Sequence, residues 1–259
     1  MAPSLTPARR RGVEILDGPD VDARVRVRSI SDVALANRLF GGTHAVLAEL
    51  DRVLVADGWP SQPAPPGPRR ITLLDVGSGV GDIPERAMRL ATRRGARLDC
   101  TAMDADETLA RTCRARGSTP ACGDARALPF ADASIDVVTC SQLLHHFPDD
   151  EVPLVLRELD RVARGRVIVA DLRRSWLAVA GIWAASFPLR FHPVSRHDGM
   201  VSVLRGFTAR ELERHVRGAT GVEPEVRPRL GFRVTASWVP SARQQAPAAR
   251  RARNDHATH

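Results

Sequence analysis

The stretch Asp75-Val-Gly-Ser-Gly-Val-Gly-Asp82 decides the fold, because it joins a strand pattern to a helix pattern. Residues 71–76 are mostly apolar, as in a buried strand, and helical spacing begins at residue 82. Glycines in such a loop let the backbone approach a ligand closely, and the helix that follows offers free N–H groups. The loop therefore predicts a site for a polar ligand at the end of a strand.

Strand and helix patterns continue to alternate after this loop. We predict strands at residues 98–103, 119–122, 135–140 and 167–171, with helices at about 107–116 and 151–163 between them. Such alternation implies a parallel sheet with helices on both faces. A helix at 208–217 and two strands around Gly231, at 224–230 and 232–238, would complete a doubly wound, seven-stranded, mostly parallel α/β sheet.

Composition divides the chain into five segments. Residues 1–12 and 241–259 lack apolar periodicity, so we predict that both are disordered tails. Apolar spacing predicts a helical N-terminal cap at residues 13–57, and the Pro-rich segment 58–68 is predicted to be a linker. The main domain is predicted at residues 69–240. An insertion at about 172–206 is expected to hold an apolar helix up to Leu189 and then a loop.

The excess positive charge lies mostly in the predicted tails. The 259-residue chain has a formal net charge of +8, and all 38 basic residues are Arg. Residues 1–12 and 241–259 each contribute +3, which leaves +2 for residues 13–240. A folded part that is nearly neutral argues against nucleic acid as a partner.

Other features predict a cytoplasmic protein, either a monomer or a homodimer. The four cysteines have no C-x-x-C spacing, so we predict free thiols and no metal site. No apolar segment follows the N-terminal Arg cluster as in a secretory signal. The longest apolar run, at residues 175–189, is shorter than the roughly 18 residues of a spanning helix, so we predict no stable membrane insertion.

The strand after the glycine-rich loop ends in an acid, Asp104, whose carboxylate can accept both hydroxyls of a ribose. Loop and acid together predict a nucleoside site. A dinucleotide fingerprint, G-x-G-x-x-G, needs a third glycine at position 82, where Asp82 would repel a pyrophosphate. S-adenosylmethionine has no phosphate and instead carries a positive sulfonium and a positive amino group. Carboxylates at Asp75 and Asp82 are therefore compatible with this ligand or attract it.

These residues resemble the class I S-adenosylmethionine-dependent methyltransferases, in particular the ubiquinone/menaquinone-biosynthesis-like group that acts on small molecules. The resemblance covers residues 71–171 and implies a Rossmann-like fold with S-adenosylmethionine as cofactor. Four motifs carry it in order: Leu74-Asp75-Val-Gly77-Ser-Gly79-Val-Gly81, Met103-Asp104-Ala105, Gly123-Asp124-Ala125 with Leu128-Pro129-Phe130, and Ser134-Ile-Asp136-Val-Val.

The resemblance also implies a role for each matching residue. The methionyl part of the cofactor would meet the first loop, and the adenosine would meet the ends of the next two strands. By the resemblance, Asp75, Gly77, Ser78, Gly79 and Gly81 contact the methionyl part, Asp104 the ribose, Asp124 the adenine amino group, Ala105 and Ala125 the ring, and Ser141 the cofactor near its sulfur.

Methylation of a hydroxyl requires removal of a proton, so a base is expected near the methyl group. The candidates are His146 and His197, with His145 as a weaker one. Asp198 either orients His197 or forms a turn with Gly199. The segment from residue 141 lacks the Asn-Pro-Pro-aromatic pattern of enzymes that methylate amino groups of nucleic acids, which disfavours a nucleic-acid substrate.

The insertion bears an aromatic stripe of Trp176, Trp183 and Phe187 at helical spacing. In the resembling family this region forms a wall over the acceptor, so we expect a largely apolar pocket. The hypothesis is O-methylation of a hydrophobic, aromatic or polyketide-like small molecule in secondary metabolism. The alternatives are C-methylation of a quinone-type precursor, for which the same helix could rest on a bilayer surface, a noncatalytic accessory protein that retains this fold, and a dehydrogenase.

Overall fold

A seven-stranded sheet forms the centre of the computed structural model, which describes residues 6–10, 12–18, 21–55 and 68–244. The strand order is β3-β2-β1-β4-β5-β7-β6. Strands β1 to β5 are parallel, whereas β7 is antiparallel to β5 and β6. The predicted doubly wound, mostly parallel sheet is confirmed. The strands are β1 Arg69–Val76, β2 Ala96–Asp104, β3 Thr119–Cys122, β4 Ile135–Ser141, β5 Ala163–Leu172, β6 Glu225–Arg229 and β7 Arg233–Trp238.

Helices cover both faces of the sheet. Helices α2 and α3 pack on one face, and α5 and α8 pack on the other. Leu73 and Leu74 of β1 are both fully buried because successive side chains of a strand point to opposite faces. The helices are α1 Ala23–Leu39, α2 Gly42–Val55, α3 Asp82–Arg93, α4 Glu107–Thr112, α5 Val152–Val162, α6 Trp176–Ser186, α7 Pro193–Arg205 and α8 Ala209–Thr220.

The helical cap docks on the β6–β7 hairpin through a close backbone contact. Gly231 in the hairpin turn has φ 69°, and a Cβ there would lie 1.9 Å from the carbonyl oxygen of Phe40. Glu49 of α2 is buried and accepts hydrogen bonds from Thr235 Oγ1 (2.6 Å) and from Arg229. The cap is therefore tied to the antiparallel edge of the sheet by a glycine and by a buried polar network.

The second half of the insertion is a helix, α7, where the sequence pattern predicted a loop. His192 caps its N-terminus, and Pro193 occupies the first turn, where its missing N–H costs nothing. Buried Asp32 of α1 accepts hydrogen bonds from the backbone N–H of His192 (2.8 Å) and from Ser195 Oγ (2.9 Å). Tertiary contact with the cap stabilises a helix that lacks a clear apolar stripe.

Parts of both predicted tails pack against the domain. The guanidinium of Arg174 donates to the Pro7 carbonyl (2.7 Å), and that of Arg9 stacks on the Phe207 ring at 4.1 Å. Ser241 Oγ donates to Asp160 (2.5 Å). Arginine stems and backbone groups provide these contacts, which apolar periodicity does not register. Residues 245–259 and nearly all of the predicted linker lie outside the described residues.

Candidate functional site

The residues predicted to hold the cofactor converge at one edge of the sheet. Asp75 is the penultimate residue of β1, Asp104 ends β2, Asp124 follows β3, and Ser141 ends β4. In open α/β sheets ligands bind outside the carboxyl ends of the parallel strands, and these four strands are neighbours in the sheet. The fold therefore assembles on one edge the motifs that the sequence spreads over about 70 residues.

The glycine-rich loop needs its glycines for two different reasons. Gly77, Gly79 and Gly81 all have positive φ, at 72°, 53° and 75°. A Cβ on Gly77 would lie 2.9 Å from Leu143, and one on Gly81 would lie 2.8 Å from Cys113 Sγ, so these two permit close packing. A Cβ on Gly79 would meet no atom within 4 Å, which places the open side of the loop at this residue.

Asp75 is a buried carboxyl group at the base of this loop. Its Oδ1 accepts a hydrogen bond from Thr139 Oγ1 at 2.6 Å. Burial raises the pKa of Asp75 to about 7, although the hydrogen bond from Thr139 acts in the opposite direction. A positive ligand group nearby would favour the ionised form of this carboxyl group.

Asp104 links the first two motifs directly. Its Oδ2 accepts a hydrogen bond from the backbone N–H of Gly79 (2.8 Å), and its Oδ1 accepts one from Asp106 (3.0 Å). The loop and the acid that sequence spacing paired are thus in contact, as a shared nucleoside site requires.

The other predicted cofactor residues differ in exposure. Asp124 is half-exposed and forms an ion pair with Arg126 (2.8 Å), which lowers the pKa of Asp124. Ala125 is buried, whereas Ala105 is exposed. Ser141 is 8% exposed, and its Oγ has no hydrogen-bond partner within the described residues. The roles that the resemblance gives to these residues stay predictions.

An apolar cavity of about 250 Å³ lies between the cap, the insertion and the antiparallel edge of the sheet. Gln142, the residue after Ser141, contributes to its wall, so the cavity begins beside the predicted cofactor edge. The other lining residues come from α1 and its C-terminus (Asp32, Val33, Ala36, Asn37, Phe40), β5 (Leu172), α6 and the segment after it (Ala178, Gly181, Ile182, Phe191), α7 (Ser195, Gly199, Ser202, Val203), and the turn before β7 with the first residue of that strand (Gly231, Phe232, Arg233).

Helix α6 forms one wall of this cavity with a glycine and aliphatic residues rather than with its aromatic stripe. Ala178, Gly181 and Ile182 line the cavity. The stripe lies elsewhere on the helix: Trp183 packs edge-on against Phe187 at 5.0 Å, and both are about half exposed. The insertion therefore lines this cavity, but Trp183 and Phe187 do not take part in the lining, and a wall over the acceptor stays a prediction.

The paired histidines belong to a separate polar pocket, which Arg9, Val13 and Arg205 also line. His145 Nδ1 lies 2.6 Å from Asp171 Oδ1, and both groups are buried. His146 Nδ1 lies 3.4 Å from Asp17 Oδ1. Burial lowers the pKa of His146, but the contact with Asp17 and nearby carboxylates outweigh it, so the net shift is upward. A raised pKa keeps the imidazole protonated to higher pH, so less of it is in the neutral form that can accept a proton at a given pH.

His197, the other candidate base, lies on the outer side of α7. Its ring is 48% exposed, and it is not part of the cavity lining described above. Its Nδ1 lies 2.9 Å from Asp198 Oδ1, while the same carboxylate accepts hydrogen bonds from the N–H groups of Ile15 and Leu16. Asp198 therefore holds the N-terminal segment as well as contacting His197. A base role for His197 or His146 stays a prediction.

Side-chain atoms of Glu14, His145 and His146 lie within 4.8 Å of one another, a spacing that could hold a metal ion. All three groups are engaged within the protein: His145 with Asp171, His146 with Asp17, and Glu14 with Ser202 (2.8 Å) and Arg205 (2.9 Å). The cluster is consistent with a structural role that joins the N-terminal segment to the sheet.

Three residues of the site were not identified by sequence reasoning. Thr139 donates to Asp75. Gln142 and Arg233 line the apolar cavity and bear buried nitrogen atoms that have no hydrogen-bond partner among the described residues. Gln142 has φ 52°, an unusual value for a residue other than glycine. Its position directly after the fourth strand was the available signal, whereas nothing in the local sequence marks Arg233.

Comparisons with known proteins find methyltransferases. Residues 74–170 match the family model described as a methyltransferase domain. Demethylmenaquinone methyltransferase of Thermotoga maritima is 32% identical over 104 residues, covering 39% of this chain and 43% of that protein. The 27-O-demethylrifamycin SV methyltransferase of Amycolatopsis mediterranei is 31% identical over 181 residues, covering 66% and 60%. The chain spans less than two thirds of the length of these curated relatives.

A solved structure of similar fold is the plantazolicin methyltransferase in complex with a triazolic desmethyl analogue and S-adenosylhomocysteine. It has a TM-score of 0.58 and 10% sequence identity, and the match covers 84% of this chain and 95% of that one. No helix within the described ranges is long and apolar enough to cross a membrane. S-adenosylmethionine is the cofactor that defines the family predicted from the motifs. The methyltransferase domain at residues 74–170, the strand order and the convergent motifs support a class I S-adenosylmethionine-dependent methyltransferase.

Proposed function

We propose that this protein transfers a methyl group from S-adenosylmethionine to an oxygen atom of a hydrophobic small molecule. The observation that carries the proposal is the apolar cavity that begins at Gln142, one residue beyond Ser141. Ser141 is the residue expected near the cofactor sulfur. An acceptor in the cavity would thus lie beside the methyl group, shielded from water by apolar side chains.

Methyl transfer from a sulfonium is an in-line displacement, so the protein contributes chiefly by aligning the acceptor atom with the methyl carbon. The cavity wall combines elements distant in sequence: the cap, the insertion and the start of β7. Such a wall can fix the orientation of a rigid apolar molecule. The two candidate bases, His146 and His197, do not line the cavity. Their positions support a reaction in which alignment of the acceptor contributes more than proton removal by the protein.

Oxygen is preferred as the methylated atom because the Amycolatopsis relative, whose match covers 66% of this chain, is named as an O-demethylrifamycin methyltransferase. Carbon methylation of a quinone-type precursor is the second candidate, supported by the Thermotoga relative, which is named for demethylmenaquinone. An aromatic or polyketide-like acceptor and a place in secondary metabolism remain part of the proposal.

The test fills the cavity and measures methyl transfer. Gly181 of α6 lines the cavity, and a Cβ there would meet no atom within 4 Å. Gly181→Leu is expected to lower transfer to naphthol probes by about a hundredfold, because misplaced acceptors react slowly. S-adenosylmethionine affinity, measured by calorimetry, should not change. Release of S-adenosylhomocysteine reports the turnover.

Gly218→Leu is the matched control, since Gly218 is also helical and also has open space around it, but lies on α8, on the other face of the sheet. It should behave as the wild type. Equal turnover in both variants would exclude the cavity as the acceptor site. Cofactor binding without turnover of 1-naphthol or 2-naphthol in the wild type would instead favour a noncatalytic protein or another acceptor class.

A further inference from the structure

Arg233 is a buried cation in the wall of an apolar cavity. The residue is only 6% exposed, and its Nε has no hydrogen-bond partner within the described residues. Its Nη1 donates to the Gly231 carbonyl at 3.2 Å. No carboxylate of the described chain lies within ion-pair distance of Arg233. The guanidinium therefore has at least one buried donor, Nε, that no group of the described residues uses.

An unpaired buried charge is expensive, so this arrangement calls for an explanation. Burial lowers the pKa of Arg233 to about 10, and the charge of Asp171 opposes that shift. The group is still protonated at neutral pH. Asp171 itself is bound to His145 (2.6 Å) and to the backbone N–H of Leu172 (2.7 Å), so it does not neutralise the guanidinium by direct contact.

The carboxylate in the same cavity wall is also committed elsewhere. Asp32 accepts hydrogen bonds from the backbone N–H of His192 and from Ser195 Oγ, and pairs with Arg28 at 3.3 Å. A second unused donor lines the cavity: Gln142 Nε2 is buried and has no hydrogen-bond partner in the part of the chain that the structure describes. The cavity thus offers two donors, one of them charged, on walls that are mostly apolar.

The two donors come from strands that are not neighbours in the sheet. Gln142 follows β4, and Arg233 begins β7, with β5 lying between these strands. Two strand spacings of about 4.8 Å separate the two strands by roughly 10 Å. This is about the length of a fused bicyclic aromatic molecule that carries polar groups at opposite ends.

Building on the proposed function, we propose that the acceptor is an apolar acid whose carboxylate binds Arg233 while its methylated atom lies near Gln142 and the cofactor. Arg233 is then a specificity-determining residue that holds the far end of the molecule. A guanidinium binds a carboxylate through two parallel hydrogen bonds, and such charge-assisted bonds strengthen in an apolar surrounding. Neutral molecules of the same shape would leave the guanidinium unpaired.

The test compares two probes of the same shape, 2-naphthoate and 2-naphthamide, by calorimetry on the protein saturated with S-adenosylhomocysteine. Wild-type protein should bind naphthoate at least about tenfold more tightly, because only the anion pairs with Arg233. Arg233→Met should abolish this preference, and Arg233→Lys should keep part of it. Arg210→Met, which removes an exposed charge on α8, should leave the preference intact.

Equal affinity for the two probes in the wild type, or binding of neither, would overturn the proposal without any variant. A preference that survives Arg233→Met in a protein that still binds S-adenosylhomocysteine would also overturn it. If Arg233→Met does not fold, the wild-type comparison and the Lys variant decide. Methyl transfer to 2-naphthol without a preference for naphthoate leaves the proposed function standing, whereas naphthoate preference without methyl transfer to any probe contradicts the proposed function alone.

Discussion

The cofactor edge and the apolar cavity are adjacent but are built in opposite ways. The cofactor edge takes its residues from the ends of four neighbouring parallel strands, each marked by a short motif. The cavity takes its residues from the cap, the insertion and the start of β7, which lie up to about 200 residues apart in sequence. The cofactor edge is polar and is formed by short motifs at strand ends, whereas the cavity is apolar and forms only when the cap and the insertion pack on the sheet. Changes in the contacts between the cap and the sheet can therefore alter acceptor binding without altering the residues predicted to bind the methyl donor.

The largest effect is expected from breaking the contact that holds the cap on the sheet. Gly231→Ala would place a Cβ on the Phe40 carbonyl oxygen at a positive φ. We expect the free energy of unfolding to fall by about 2–4 kcal/mol from strain and overpacking together. Chemical denaturation followed by circular dichroism measures this loss.

Gly221→Ala is the control that separates the cost of backbone strain at positive φ from the cost of a steric clash. Gly221 ends α8 with φ 73°, yet a Cβ there meets no atom within 4 Å. It should cost only about 1 kcal/mol, the usual cost of a left-handed conformation for alanine. Equal losses in both variants would mean that the close contact between cap and hairpin contributes nothing to stability.

An intermediate effect is expected at the cofactor edge, where Asp75 has a pKa of about 7 because of its burial. A cationic ligand group favours the ionised carboxylate, so binding must release a proton below that pH. The affinity for S-adenosylmethionine should rise by up to about tenfold per pH unit as the pH approaches 7 and level off above it. Calorimetry in buffers with different ionisation enthalpies measures the released proton.

Asp75→Asn should remove this proton release, whereas Asp99→Asn, on the exposed early part of β2, should retain it. The free energy of unfolding should depend on pH in the opposite direction to the cofactor affinity. Because the raised pKa makes the buried ionised form costly, the ligand-free protein should lose stability as the pH rises from about 4 to 7, and Asp75→Asn should lose less. An affinity independent of pH would show that Asp75 does not meet the positive part of the cofactor.

The smallest effect is expected from His197, whose exposed ring lies outside the cavity lining. His197→Ala should change kcat/KM for a naphthol probe by less than about twofold and leave the pH–rate profile unchanged. A general base usually contributes a hundredfold or more, so a larger loss together with a missing limb of the profile would restore its role as base. The same profile for His146→Ala tests the other candidate.

The cofactor edge was predictable because parallel strands bring their carboxyl ends together whatever the tertiary detail. Asp75 and Asp104 each follow an apolar run, and both lie at the expected edge, with Asp104 contacting Gly79. Helix α7 was missed because its stability comes from the cap, through Asp32, rather than from its own periodicity. Arg233 was missed because an arginine that opens a strand looks exposed when only its neighbours in sequence are considered.

The sequence by itself determined the sheet, the glycine-rich loop and the class of the cofactor, since these depend on periodicity and on spacing over tens of residues. Only the tertiary structure decided which residues surround the acceptor. It turned the aromatic stripe of α6 away from the cavity, brought Gly231 against Phe40, and placed Arg233 on an apolar wall. The physical reason is that burial and contact between distant segments are properties of the packed chain, and no local pattern encodes them.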